Sequence, residues 1–405
     1  MASPSLQERA RILLDKNIKS GQNYFYTAPS LRKYPHQWSW DSSFHAIANS
    51  CLGRVDLAQG EILTLLSSMC SDGRLPHLIY QGQGLTHKSS HWIRWYWPDP
   101  YRSPLVQPPV VALAVQKIWE QSEDLPFLKE ILPLVEKHFG WLRVHRSSAN
   151  SPLVSVFSPW ESGLDHKPGF DRLLGKLSRL PLGLYIALYW LEWRLSKCGF
   201  EEGEIRRRRY FEVKEVLFNV FYALGLEALG KLFLVLGDRS KAEGLARLSQ
   251  EVVTAILEQC YDPAAQLYFD IDGRTWTLVR EPAISSLSPL ALPGLPSSRR
   301  EELIGHLTSK GEFWSCFPIP SVPLSSPHFR ARGRLYLWRG PTWININWLI
   351  WEGLKRHGYL WLADELAHKT KKLVELSGFR EYYDPLTGRG GGERDFSWST
   401  LAAIM

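Results

Sequence analysis

The sequence predicts an all-α fold: a single (α/α)6 toroid, or six-hairpin barrel, with long loops at one mouth. Three observations carry that expectation. Apolar residues recur at helical 3.6-residue spacing over about a dozen segments, with little of the alternation that strands need. The connections between these segments alternate short and long, as in stacked helical hairpins. No self-similar repeat of about 34 to 47 residues runs through the chain, so the hairpins are expected to close on themselves and not to extend as an open solenoid. By size alone, 405 residues would allow two or three domains. A closed toroid takes up the whole length, and residues 1–405 are read as one domain.

In chain order, helices are expected over 5–19, 41–52, 55–70, 107–121, 124–145, 171–198, 211–237, 239–260, 282–292, 298–309, 341–356, 359–377 and 396–405. Pro108 and Pro109 suit a first helical turn, where a missing N–H costs nothing. Asp238 caps the segment that follows it, and Gly358 separates two helices. The last helix, from Phe396 to Met405, would be about 15 Å long, a stub for closing a barrel. Strand pieces are expected only near 152–157 and 266–271. The stretch 293–335, rich in Pro, Ser and Arg, has no clear placement. The long connections 20–40, 71–106, 146–170, 261–281, 311–340 and 378–395 hold the unusual residues, and loops gathered at one end of a rigid scaffold commonly carry function.

Composition removes several classes. Hydrophobic residues at 44% and charged residues at 22% are ordinary globular values, which excludes disordered, collagen-like and coiled-coil chains. No run nears the roughly 18 uninterrupted apolar residues of a membrane span. The opening MASPSLQERARILLDKNIKSG lacks the apolar core of a secretory signal. A soluble cytoplasmic protein is expected, without a membrane partner. Five scattered cysteines with no Cys-x-x-Cys pair argue against a disulfide framework or a zinc site. The net charge of +7 is dispersed, apart from the arginine run at 206–209. No nucleic-acid partner is expected, and a mild positive field would favour a small anion. His36, His45, His77, His87 and His91 show no metal-ligand spacing, and neither a Gly-x-Ser-x-Gly elbow nor a dinucleotide-binding glycine pattern is present. No metal and no organic cofactor is expected.

The 18 Trp, 16 Tyr and 17 Phe carry more information. Many stand in polar company, as in YPHQWSWD, HWIRWYWPDPY, SPWESGLD and YLWRGPTW. A sugar needs that mixture, because its C–H face packs on a ring while its hydroxyls need polar partners. In Ser158-Pro159-Trp160-Glu161-Ser162-Gly163-Leu164-Asp165, two acids lie beside a Trp, and desolvation there would raise a carboxyl's pKa into the range of a proton donor. The same acids could equally cap turns. In Phe379-Arg380-Glu381-Tyr382-Tyr383-Asp384-Pro385-Leu386-Thr387-Gly388, followed by Gly390-Gly391-Gly392-Glu393, a turn and a glycine run let backbone approach a ligand or another loop closely. Glu381 and Glu393 are both candidate bases. Tyr336-Leu337-Trp338-Arg339-Gly340-Pro341-Thr342-Trp343 offers Arg339 as a rigid fork. Tyr34-Pro35-His36-Gln37-Trp38-Ser39-Trp40-Asp41 sets an aromatic wall beside an acid.

In this order and at these separations, the four stretches resemble the (α/α)6-barrel enzymes of glycoside hydrolase family 63, with the trehalases as more distant kin. The resemblance runs from Tyr34 to Trp398. It implies an inverting α-glycosidase. Asp165 falls on the family's Glu-Ser-Gly-x-Asp general acid, and Glu381 on the general base, with Glu393 as the rival for that role. Tyr34, Trp38, Trp40 and Asp41 fall on the sugar pocket, and Gln107, Trp160 and Arg339 on further sugar contacts. Chains this short resemble the branch that hydrolyses mannosylglycerate and glucosylglycerate, which implies a small-molecule sugar substrate with an anionic glycerate aglycone. Within that resemblance, residues near 199–210 are expected to form a lid that touches glycerate. The alternatives are a hydrolase of a neutral disaccharide or oligosaccharide, α-glucosidase- or trehalase-like, and a non-catalytic toroid that binds sugars or a protein.

Overall fold

The computed structural model describes residues 4–82, 97–332 and 337–405. Thirteen α-helices and five small sheets are formed among them. Helix α1 (Leu6–Lys16) opens with a capping box between Ser5 and Glu8. The hairpin β1 (Ile18–Gly21) and β2 (Tyr24–Thr27) follows, then β3 (Gln37–Trp38), α2 (Ser39–Cys51), α3 (Val55–Ser67), β4 (Leu78–Ile79), α4 (Val111–Ser122) and α5 (Leu125–Arg146). Helices α6 (Asp171–Leu174), α7 (Pro181–Ser196) and α8 (Glu202–Arg207) precede β5 (Val213–Lys214), α9 (Val216–Val235) and α10 (Arg239–Gln259). Next come β6 (Tyr261–Asp262), β7 (Leu267–Tyr268), β8 (Asp270–Asp272), β9 (Thr277–Val279) and the 3-10 segment Ile284–Ala291. The chain ends with α11 (Ser297–Thr308), α12 (Ile344–Arg356), α13 (Leu360–Ser377), the hairpin β10 (Arg380–Tyr383) and β11 (Gly390–Arg394), and the 3-10 segment Ser397–Ala403.

The packing order explains which of these are buried. Helix α2 packs on α4, α4 on α9, α9 on Ile284–Ala291, that segment on α12, α12 on Ser397–Ala403, and Ser397–Ala403 back on α2. Of these inner segments, α2, α9 and α12 are buried along most of their length and 284–291 and 397–403 wholly so, while α4 is buried at Val111, Ala112, Ala114, Val115 and Ile118. Outside them lie α1, α3, α5, α10, α11 and α13, each buried on one face only. A segment buried all round needs no polar stripe, whereas an outer helix does. Helix α9 shows this most clearly. It is long and apolar enough to cross a membrane, with a mean hydropathy of 1.5, yet 89% of that window is buried inside the protein.

Several expectations are revised. Helix 171–198 breaks at Gly175 (φ +97) and again before Pro181, giving α6, a 3-10 turn and α7. Pro108 and Pro109 precede α4 and do not sit in its first turn. Segments 282–292 and 396–405 are 3-10 helices. Within the expected helix 211–237, Val213–Lys214 is strand β5, which joins β8 and bridges Val156 through Val213, and the helix starts only at Val216. Asp238 caps α10 by accepting from Lys241 N at 3.0 Å, and Gly358 lies between α12 and α13 at φ +80.

The loop 158–170 is anchored from behind by an ion pair. Arg146, at the end of α5, donates two 2.7 Å hydrogen bonds to the two oxygens of Glu161, which also accept from Val106 N and Phe157 N. Both side chains are buried, and Glu161 is thereby a structural anchor. Removing one partner of a buried pair strands the other charge. Glu161→Gln is therefore expected to lower unfolding free energy by about 3 to 5 kcal/mol, read from the shift in urea midpoint.

Candidate active site

Six inner segments leave a cleft at one end, and the long loops build its walls. The resulting cavity has a volume of about 290 Å³, enough for a monosaccharide with a small substituent. Its lining includes Tyr34, Trp38, Trp40 and Asp41 from the first long loop and the start of α2, and Gln107 from the approach to α4. Trp160, Gly163 and Asp165 come from the loop after α5, and Glu381 from β10. These residues are far apart in sequence, and the fold brings them to one chamber. Gln107 Oε1 accepts from Ser39 Oγ at 3.1 Å and Trp40 N at 3.2 Å, which fixes the first turn of α2 and hence the Trp40–Asp41 pair. Gly163 has φ +73, and a Cβ there would come within 2.5 Å of the Trp40 ring. The glycine therefore lets ring and loop meet at the cavity floor.

Asp165 reaches into the chamber from a loop held on both sides. Burial, reinforced by the Glu381 charge, pushes its pKa up to about 7, while hydrogen bonding and Lys33 pull the other way. Next to it, the His166 carbonyl accepts from Arg339 Nε at 2.8 Å. The His166 ring is driven down to about 3 by burial and by the Arg339 and Lys33 charges, so it is neutral. Its Nδ1 accepts from Leu337 N. Lys167 is buried against Glu215 (2.5 Å) and Asp270 (2.7 Å), and it also donates to Ser285 Oγ.

Glu381 stands at an irregularity of the β10–β11 hairpin, where Arg380 pairs with Arg394 but Tyr382 pairs with Gly391. A bulge of this kind re-aims one side chain. Glu381 Oε1 accepts from Tyr34 Oη and Oε2 from Glu393 N, both at 2.9 Å. The glycine run explains the close approach of the two strands. A Cβ on Gly390, Gly391 or Gly392 would overlap the side chain of Arg380, Tyr382 or Glu381 respectively. Asp41 is buried near Glu381, and burial raises its pKa well above the usual carboxylate range, with the charges of Glu381 and Glu61 adding to the shift.

Two candidates lie elsewhere. Arg339 is buried behind the wall, gripping Asp171 through bonds of 2.6 and 2.9 Å, and it is not part of the lining. Its guanidinium is bonded to Asp171 and the His166 carbonyl and braces the wall. Glu393, the rival base, is also outside the lining. It pairs with Arg32 at 2.6 Å and turns its backbone N–H to Glu381. The arginines at 206–209 do not reach the cavity either. Arg206 bonds Glu212, Arg207 and Arg208 bond Glu204, and Arg209 bonds the Arg274 carbonyl. The segment near 199–210, expected to form a lid, holds α8, with Ile205 buried and Phe200 packed against the cluster of Leu78, Tyr80 and Trp97. Tyr336, His87 and His91, with most of HWIRWYW, fall outside the described residues. Sequence reading missed Lys33, His166, Tyr185 and Tyr189, which also line the cavity. Tyr185 and Tyr189 are four apart on α7 and so share a face, a signal that the uniformly apolar stretch around them concealed.

A chamber walled by indoles, with two carboxyls facing it from separate loops and no cluster of metal-binding side chains among the described residues, fits a glycoside hydrolase. The comparisons agree: the protein is a glycosidase. Residues 34–399 match the family described as the mannosylglycerate hydrolase MGH1-like glycoside hydrolase domain, and the chain belongs to that family. It is 31% identical to the mannosylglycerate hydrolase of Thermus thermophilus, over 94% of this chain and 96% of the relative. It is 27% identical to the glucosylglycerate hydrolase of Mycolicibacterium hassiacum, over 92% and 91%. A crystal structure of a GH63 mannosylglycerate hydrolase from Thermus thermophilus, in complex with Tris and D-glycerate, superposes with a TM-score of 0.88 at 30% identity, covering 99% of both chains.

A Cβ at residue 392 has nowhere to go except into the Glu381 carboxylate. Gly392→Ala is expected to lower kcat of glycoside hydrolysis by about tenfold or more, exceeding its effect on KM, with an unchanged far-ultraviolet circular dichroism spectrum. A kcat within about twofold of wild type, well short of a misplacement effect, would show that Glu381 need not be held where it is.

Proposed function

We propose that the protein is an inverting hydrolase of 2-O-α-D-mannosylglycerate or 2-O-α-D-glucosylglycerate, releasing free sugar and glycerate. Asp165 serves as general acid, and Glu381 as general base. The observation that carries this reading is that the two carboxyls face one aromatic-walled chamber in different environments. Asp165 is crowded toward its protonated form, and Glu381 accepts a hydrogen bond at each oxygen. An inverting enzyme needs that inequality, because one carboxyl must give a proton while the other takes one.

The steps follow from it. Glu381 removes a proton from a water whose oxygen attacks the anomeric carbon. Asp165 delivers its proton to the glycosidic oxygen, and the bond between that oxygen and the anomeric carbon breaks. One bond forms and one breaks on opposite faces of the ring, so an α-glycoside yields a β-sugar. Tyr34, Trp38, Trp40, Asp41, Gln107 and Trp160 hold the sugar. The indoles cover its C–H faces, and the carboxyl and amide take hydroxyls. The chain chemistry is complete without a cofactor. We read the closed succession of inner segments, each backed by an outer helix, as an (α/α)6 toroid formed by the whole chain as one domain. The support for the glycerate aglycone is the agreement of mannosylglycerate and glucosylglycerate hydrolases among the relatives.

Proton NMR of the initial products from mannosylglycerate, glucosylglycerate and trehalose tests the substrate and the stereochemistry. The β-anomer is expected first, from a glycerate glycoside. Release from trehalose alone would sink the glycerate reading, and an initial α-anomer would sink inversion. Asp165→Asn and Glu381→Gln are each expected to lower kcat by about 10²- to 10⁴-fold. The pH dependence has a defined sign. Asp165 works protonated, so kcat/KM holds below its pKa and falls as pH rises through about 7. A profile that stays flat through about pH 9 would assign the acid to another group.

A further inference from the structure

The cations around the chamber are nearly all committed to protein partners. Arg339 holds Asp171, Lys167 holds Glu215 and Asp270, and Arg146 holds Glu161. Arg32 is bonded through Nε and Nη2 to Glu393. Lys33, the next residue, differs. It lines the cavity, its side chain is exposed at the rim, and it makes no ion pair with any described residue. It is also the one lysine or arginine in the described lining. Its ammonium lies 4.7 Å from the centroid of the Tyr34 ring, whose hydroxyl bonds Glu381.

Lys33 and Asp165 line the same cavity, Lys33 at its exposed rim, and the Lys33 charge is felt at Asp165 and His166. The aglycone leaves from the side of the acid, because the proton goes to the oxygen that the aglycone keeps. In a 2-O-glycoside of glycerate, the carboxylate is attached to the carbon bearing that oxygen, so an ammonium near the acid is near the carboxylate too. The chamber otherwise presents three carboxyls, Asp41, Asp165 and Glu381, which disfavour an anion unless a cation answers it. We infer that Lys33 is a specificity-determining residue that binds the carboxylate of the aglycone and selects anionic over neutral glycosides. This rests on the function proposed above.

The test uses the full-length protein and the variants Lys33→Met and Lys33→Arg. Hydrolysis of mannosylglycerate is compared with that of its uncharged analogue, in which the carboxylate is a primary amide. A charge-assisted hydrogen bond of ordinary strength corresponds to about a tenfold to hundredfold effect. Lys33→Met is expected to raise KM for the acid by that factor, mostly sparing kcat, and to reduce the acid-to-amide ratio of kcat/KM in parallel. Lys33→Arg is expected to keep most of the preference. A ratio unchanged by Lys33→Met overturns the inference, as does an equal loss on both substrates. A second measurement separates this from the proposed function. D-glycerate and glyceramide are titrated against tryptophan fluorescence, which the indoles of the chamber supply. If wild type cleaves neither glycoside, the proposed function fails, and the titration still decides Lys33. Glycerate binding weakened about tenfold or more by Lys33→Met sustains the role, whereas equal binding, or no glycerate binding to wild type, overturns it.

Discussion

The paired hydrogen bonds from Arg339 to Asp171 are the interaction on which the site geometry depends. Two segments far apart in sequence carry the carboxyls proposed as acid and base, and something must fix their separation, since inversion requires room for one water between base and sugar. Arg339 grips Asp171 and, through Nε, the carbonyl of His166, the residue after Asp165. Just beyond Arg339, Thr342 exchanges two backbone hydrogen bonds with Tyr383, at 2.8 and 3.0 Å, on the strand that carries Glu381. A continuous line of bonds thus runs from one carboxyl to the other. A guanidinium suits that post because its donors are fixed in a plane and address a carboxylate and a carbonyl at once. A flexible ammonium would hold the same charge without the same geometry.

Behind this line, the protein uses buried charge to hold loops still. Arg146–Glu161 and Lys167–Glu215–Asp270 are buried, and isolated charges there would be costly. Each is met by several partners: Glu161 accepts four hydrogen bonds, two from Arg146 and one each from Val106 N and Phe157 N. The carboxyls that face the chamber are treated differently. Asp165 and Asp41 are left in surroundings that disfavour their charged forms. Glu161 is thus met by donors at both oxygens, and Glu381 by one at each, whereas burial dominates at Asp165 and Asp41.

How much of this the sequence disclosed follows the same physics. The outer helices were legible because each has one buried face, and the caps at Ser5 and Asp238 mark their starts. Asp165 and Glu381 were singled out by the stretches that hold them, an acid-rich loop containing Trp160 and a turn followed by a glycine run, although the acid that adjoins Trp160, Glu161, is the one the fold uses as an anchor to Arg146. The break of 171–198 was hidden because α7 is apolar on both sides. Leu182 is 75% exposed and Trp190 56%, so no polar stripe marks its limits. The 3-10 segments at 284–291 and 397–403 were read as α-helices because total burial removes the periodicity that would tell the two apart. The placement of Arg339 was beyond the sequence, since its partner Asp171 lies 168 positions away. The glycines at 390–392 were read as permitting close approach to a ligand or a loop. They serve the second purpose, because each faces a side chain of β10.

Net charge is a poor guide to what the chamber attracts. A total of +7 invites the thought that the whole surface draws in an anion, with the arginines at 206–209 as its focus. Local pairing argues against that picture. Those arginines are bonded to Glu212, Glu204 and a carbonyl, and exposed charges are screened within about 8 to 10 Å at physiological salt. A paired cation presents little more than a dipole beyond its partner, so summing charges over the chain overstates the field at the chamber. A cation at the rim without an ion pair acts at short range, beside low-dielectric indole walls, where the same charge counts for more. Selection between an anionic and a neutral substrate therefore depends on which cations at the chamber lack a carboxylate partner, and the total says little about it.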